Sequence, residues 1–427
     1  MLRISEARMK ILFWLAALTL TCWAAENAAG PMYVKAAREG DLKTIETLFS
    51  IGFSANQPIR GYTPLWFAIQ SNRPDLVELL LEQHADPNAL VMTEPDLAGY
   101  GGNTTPLKLA VLLDNQRIAN LLISAGAKVN AESVKASTAL HEAVRDSHLD
   151  LIRFLIENGA KVNIRDNEGA SPLDLAVWNG SVDSVALLLA HGAPLNEIEP
   201  QTGATPINEA AFVGQTNVVR YLIQFHPDLA TPDKRGYRPL ENAIRSGKEE
   251  SAVLLLEAEP NAEPAKFLEP AIRKGESIFV AALLHKGAAA NEPLPSGLTP
   301  LDLAASAGSA KVVQVLLENG ADANLSGKTG TTPLEDAALK GYPAVSSLLL
   351  DHGANVNQLN AGSGTTALYA AASFGKAEVV KLLLDRGADP NLCGANRKSA
   401  FQAALDNGYP DVAAQIQARG GSRACTR

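Results

Sequence analysis

Thr63-Pro64-Leu65 returns along the chain as Thr105-Pro106-Leu107, Ser171-Pro172-Leu173, Thr205-Pro206-Ile207, Thr299-Pro300-Leu301 and Thr332-Pro333-Leu334. Thr138-Ala139-Leu140-His141, Arg238-Pro239-Leu240, Thr366-Ala367-Leu368 and Ser399-Ala400-Phe401 fill the gaps. Copies therefore begin at 63, 105, 138, 171, 205, 238, 266, 299, 332, 366 and 399, and most steps are 33 or 34 residues. Five residues into every copy stands alanine, from Ala36 and Ala68 to Ala371 and Ala404, where a larger side chain would overpack a junction between helices. Seventeen residues in stands leucine (Leu48, Leu80, Leu122 and onward), with Ile416 the exception. Glycine at offset nine (Gly40, Gly180, Gly308, Gly375) and again at offset 21 (Gly126, Gly159, Gly353) would end two successive helices in the left-handed region. Thr or Ser ahead of Pro supplies an N-cap oxygen, and Pro sits in the first turn, where its missing N–H does no harm. Each unit thus reads as helix, turn, helix and extended β-turn, and only stacking can bury its apolar face.

The pattern resembles the ankyrin repeat, whose period and Thr-Pro-Leu-His-x-Ala signature are those found here. With a degenerate first copy beginning at Pro31, twelve copies cover nearly all of the chain beyond its leader. The fold class this implies is all-α, a helical solenoid with short β-turn hairpins between helix pairs. Two departures stand out. The step from Thr63 to Thr105 is 42 residues, so a loop insert at 89–103, containing Asp96, Gly99, Tyr100, Gly101 and Gly102, is expected to project from the turn side. The step from Arg238 to Lys266 is only 28, with Glu259-Pro260-Asn261-Ala262-Glu263-Pro264 in place of the usual glycine and turn. A bend or subdomain boundary is expected near residue 262, dividing the array into repeats 31–262 and 263–427. Gln415 and Gln417 beside Ile416 suit 399–427 to a capping repeat, whose outer face meets water.

With 46% hydrophobic and 19% charged residues, the 427-residue chain can bury a real core. Its 37 basic and 46 acidic residues give a net charge of −9, which argues against nucleic acid as the partner. Three cysteines exclude a disulfide scaffold and a multi-cysteine zinc module. Residues 11–25, ILFWLAALTLTCWAA, form an apolar run preceded by Arg3, Arg8 and Lys10, shorter than the ~20 residues a spanning helix needs. Residues 1–24 read as a signal peptide cleaved after Ala24, with an uncleaved anchor as the alternative. The expected product is exported, periplasmic or secreted, with 34 basic against 45 acidic residues and a net charge of −11. No other segment is apolar enough to span a membrane.

No catalytic constellation emerges. His141-Glu142 is followed by His148, seven residues after His141 rather than the four a zinc helix needs. Gly327-Lys328-Thr329 lacks the earlier glycine of a phosphate loop, because Asp322 stands there. The carboxylates are expected at exposed offsets as a solvated face, and no metal or cofactor is implied. The family resemblance implies instead a binding surface, built on a concave face from turn tips and the exposed ends of the first helices. Offset seven of five successive copies reads Arg145, Trp178, Phe212, Arg245 and Arg273, with Lys234, Arg235, Tyr237 and Lys274 nearby. Exposed aromatics beside arginine are the composition of interface hot spots. Alternatively, Trp178 and Phe212 cover the stack between neighbouring repeats. A basic strip on an acidic protein suggests a protein partner with an acidic surface. The expected function is a monomeric, exported, non-catalytic protein-binding scaffold, an inhibitor or protective partner of another exported protein. The alternative is a secreted effector or enzyme with its activity in the insert or the degenerate repeat. Cys393 and Cys425 lie 27 and 26 residues into successive copies. They would pair in an oxidising compartment or remain free thiols, since pairing needs Cα atoms within ~7 Å.

Overall fold

The computed structural model describes residues 29–59, 61–93, 102–133, 136–394 and 397–426; the leader, residues 1–24, lies outside them. The chain divides into two compact units, one running to Ala210 and including Gln224–Gly236, the other formed by Ala211–Ile223 and Tyr237 onward.

In the first unit, α1 (residues 29–39) and α2 (Leu42–Ser50) are followed by α3 (Pro64–Gln70), α4 (Pro74–Glu82), α5 (Pro106–Leu112), α6 (Gln116–Ser124), α7 (Ala139–Arg145), α8 (Leu149–Glu157), α9 (Pro172–Asn179) and α10 (Val182–Ala190). First helices pack on first helices, α3 on α5, α5 on α7 and α7 on α9, while α4 packs on α6 and α8 on α10. The described ends of the insert pair: β1 (Val91–Thr93) and β2 (Gly102–Thr104) run antiparallel, with Val91 opposite Thr104. Its Asp96, Gly99, Tyr100 and Gly101 fall outside the described residues.

The division between units runs through α11 (Pro206–Val213). The second unit continues with α12 (Thr216–Ile223), α13 (Pro239–Arg245), α14 (Glu249–Ala258), α15 (Ala265–Lys274), α16 (Ser277–His285), α17 (Pro300–Ala307), α18 (Ala310–Glu318), α19 (Pro333–Lys340), α20 (Pro343–Asp351), α21 (Ala367–Ser373), α22 (Ala377–Asp385), α23 (Ala400–Asp406) and α24 (Pro410–Ala418). The shortened turn at Glu259–Pro264 lies inside this unit, where α14 and α16 pack on each other and Arg238 holds Glu259 at 2.6 Å. The degenerate copy carries no Thr-Pro start, and its helix α15 begins directly after Pro264 with Pro270 in its interior.

The sequence positions take up the roles their chemistry suggests. All twelve offset-five alanines are buried, as are the leucines at offset seventeen and Ile416. Thr63, Thr105, Ser171, Thr299 and Thr332 each accept a hydrogen bond from the third backbone N–H of the following helix. Gly308 and Gly375 have φ of +73° and +66°, but conformation is only half of their requirement. A methyl group on Gly308 would lie 2.7 Å from the Tyr342 ring, and one on Gly375 would lie 2.5 Å from the Tyr409 ring. In both cases the ring belongs to the next copy and lies over the glycine.

A further tie joins successive turns. In the second unit Asn324 donates through Nδ2 to the Gly353 carbonyl at 3.0 Å and accepts the Asn355 N–H at 2.7 Å. Asn291, Asn357 and Asn391 repeat this with Gly320, Gly387 and Gly420. In the first unit Asn88 and Asn130 do the same with Gly126 and Gly159. At the C-terminus, Cys393 and Cys425 are joined through their sulfurs with Cα atoms 4.9 Å apart. The Cys393 N–H also donates to the Thr426 carbonyl at 2.8 Å.

Candidate functional site

In the first unit, the last residue of α7, Arg145, directs Nη1 to Glu142 Oε2 at 2.5 Å. Glu142 is buried at the helix start and also holds Lys108 Nζ at 2.9 Å and the Ser137 hydroxyl at 2.8 Å. Lys108 is itself buried and donates onward to Ser133 Oγ at 2.8 Å. Burial pushes the Glu142 carboxyl up, but Lys108 first and then Arg145 and Ser137 outweigh it and hold it below the usual glutamate range. Trp178, half-buried near the end of α9, donates Nε1–H to Glu209 Oε2 at 3.2 Å. Thr202 serves the other oxygen of Glu209 at 3.0 Å. Desolvation raises the Glu209 carboxyl, and it also raises Asp174, whose Oδ2 lies 3.3 Å from Arg165 Nη1. Lys234 and Arg235 are tied locally, to the Pro200 carbonyl and to Asp233 respectively.

In the second unit, Phe212 near the end of α11 is 42% exposed. The exposed Arg245 places its guanidinium 4.2 Å from the centre of the Tyr237 ring. Among the described residues Arg245 makes no ion pair. Arg273 pairs with Glu269 at 2.6 Å, and Lys274 donates to the Ile244 carbonyl with Glu276 at 3.7 Å. The cations expected to give a basic strip are therefore matched by carboxylates at Arg145, Arg273 and Lys274. Residues Arg145 and Trp178 belong to one unit, while Phe212, Tyr237, Arg245, Arg273 and Lys274 belong to the other.

The expectation that the carboxylates form a solvated face fails for eight of them, while the other described carboxylates are exposed or half-buried. Glu142, Asp174, Glu209, Asp302 and Glu335 are buried. Each sits at offset three or four, where a first-turn carboxylate meets the positive end of its helix. Asp174 and Asp302 close capping boxes with Ser171 and Thr299. A second buried set, Asp166, Glu199 and Asp233, takes backbone N–H groups inside the turns of the first unit.

The family model for ankyrin repeats matches residues 33–133, 132–199, 194–265, 268–360 and 353–421. The chain belongs to the ankyrin repeat family. Its fold is accordingly all-α, an ankyrin helical solenoid. Ankyrin repeats are protein-binding modules, and their repeats are typically non-catalytic. A segment of 108 residues is 32% identical to glycerophosphocholine phosphodiesterase gde1 of Schizosaccharomyces pombe, covering 25% of this chain and 9% of that protein. The chain thus spans less than a tenth of this relative's length. Among the described residues no helix is long and apolar enough to cross a membrane, and no group of three His, Cys, Asp or Glu side chains could hold a metal ion. Within the ankyrin copies, the offset-seven positions place their aromatic and guanidinium groups at the ends of first helices.

Proposed function

We propose that this ankyrin array is an exported, non-catalytic scaffold that binds another exported protein as a monomer, acting as its inhibitor or protective partner. The observation that carries the reading is Arg245, exposed, without a carboxylate partner among the described residues and laid over the Tyr237 ring. A stacked guanidinium is already oriented, so little side-chain freedom is lost when a partner carboxylate engages it. Phe212 in the same unit supplies a second, apolar contact, and Trp178 and Arg145 are candidate contacts of the other unit taken by itself. An acidic surface on the partner suits Arg245 best. Export follows from the charged start and apolar run ahead of Ala24, which lie outside the described residues.

Affinity capture from the exported fraction tests this with wild type and a Trp178→Ala/Phe212→Ala double variant. Loss of the captured protein at an unchanged melting temperature supports the reading. Undiminished capture, or earlier melting with capture intact, assigns both rings to repeat packing and refutes it. Expressed full length in its native host, the chain is expected to appear shortened and outside the cytoplasm; an intact cytoplasmic chain removes the exported role.

A further inference from the structure

At the start of the first unit, α1 and α3 enclose a groove of about 680 Å³, within the ~300–1,000 Å³ range of ligand sites. Tyr62, Trp66 and Phe67 form an aromatic wall: the Tyr62 and Trp66 rings are 4.3 Å apart, and Phe67 meets Trp66 edge-on at 5.0 Å. Lys35, Arg38 and Glu39 stand on the opposite side, all exposed.

Trp66 is 5% exposed, yet its Nε1–H has no acceptor among the described residues. A buried donor left unmet is costly, and Trp178 avoids that cost through Glu209. Arg38 makes no ion pair among the described residues, while Lys35 faces Glu39 at 3.9 Å. The site thus combines an apolar wall and an excess cation. A neutral apolar ligand satisfies only the first of these, and a basic one is repelled by Arg38.

We infer that this groove docks an extended acidic segment of a partner protein, which lays an apolar side chain on the Tyr62–Trp66–Phe67 wall and turns a carboxylate to Arg38. The inference does not use the Trp178 or Arg245 positions, so the two readings stand or fall separately.

Titration calorimetry of the full chain tests it with acetyl-Phe-Asp-Leu-Glu-amide and its uncharged analogue acetyl-Phe-Asn-Leu-Gln-amide. The acidic peptide is expected to bind about tenfold tighter at low salt. Arg38→Gln, an exposed change, removes that preference, and Phe67→Ala, which takes one ring from the wall, weakens both peptides severalfold. Arg245→Ala leaves both affinities unchanged. Equal affinity for the two peptides, no saturation by about 5 mM, or an unaltered preference in Arg38→Gln overturns the inference. So does acidic-peptide binding that emerges only when residues 1–28 are removed, which gives the groove to the chain's own leading segment. A dimer in light scattering that the peptide dissociates gives it to a second copy and likewise overturns it.

Discussion

Glu142→Gln removes one charge from the buried centre of the first unit while keeping size and most hydrogen-bonding capacity. The Glu142 and Lys108 side chains are 1% and 5% exposed and meet at 2.9 Å. Deleting one partner of a buried pair costs ~3–5 kcal/mol, because the remaining charge stays desolvated and loses its attraction to the carboxylate. Arg145, 33% exposed, contributes far less, and Arg145→Ala is expected to cost no more than ~1 kcal/mol. Urea unfolding followed by intrinsic fluorescence gives the readout. At a slope of ~1–3 kcal/mol per molar, the Glu142→Gln midpoint falls by about 1 M or more. Replacing both partners, Lys108→Met with Glu142→Leu, recovers most of the loss, since no charge is then left buried. The folded Glu142 carboxyl titrates below its unfolded value of ~4.3. Its stabilisation is therefore complete above that value and is lost as pH falls through the lower folded one, and the Gln variant lacks this acid-side loss. A midpoint shift below about 0.3 M for Glu142→Gln would refute the reasoning, as would a double variant no more stable than the single one.

Asp336 is raised to about 7 by desolvation first and then by Asp302 and Glu335, so the second unit loses stability as pH rises from the ordinary carboxylate range through 7. Asp336→Asn is expected to flatten that decline in melting temperature between pH 5 and 8; an unchanged slope refutes it. Gly308→Ala combines a left-handed backbone with a methyl group 2.7 Å from the Tyr342 ring. It is expected to cost more than the ~1 kcal/mol of a conformational penalty alone, and adding Tyr342→Ala should return part of the excess in a double-mutant cycle. Thiol labelling of the unreduced protein, with Cys22 replaced by Ser, is expected to find no free thiol; two per chain would mean that Cys393 and Cys425 are unpaired.

The period made the helices legible, because a position repeated twelve times reports its environment even when one copy is ambiguous. Junction alanines, cap oxygens and turning glycines all rest on a residue's size or local backbone preference, which sequence carries directly. His84 and His226 stand at offset 21, where other copies have glycine, and both adopt positive φ, +60° and +51°. The buried carboxylates were not read, although their signal existed. Asp166, Glu199 and Asp233 share offset 28 in three successive copies, and a solvated acid has no reason to hold a fixed offset. The asparagine ties escaped for a similar reason, since polar residues in turns are so common that their recurrence passes unnoticed. The pairing of Arg273 with Glu269 and of Arg145 with Glu142 follows helical spacing. What could not be read was the unserved N–H of Trp66, because an absence of partners depends on every neighbour at once.

The asparagine ties of the second unit point one way: each reaches from its own turn to the turn that follows. Pulled from its two ends, such a unit has no single rupture point shared by all copies. Among the turns not closed by a covalent bridge, the last lets go first, and each release exposes the amide of the copy before it. Asn391, which holds Gly420 and the Ser422 N–H at 3.0 Å, is the final rung. The Cys393–Cys425 bridge sits beside it, closing 32 residues of chain. Extension from the C-terminus must therefore begin inward of the bridge, with the last helix pair shielded from load. In a force–extension record this predicts a missing step: one repeat's worth of length, about 32 residues, gained only after reduction.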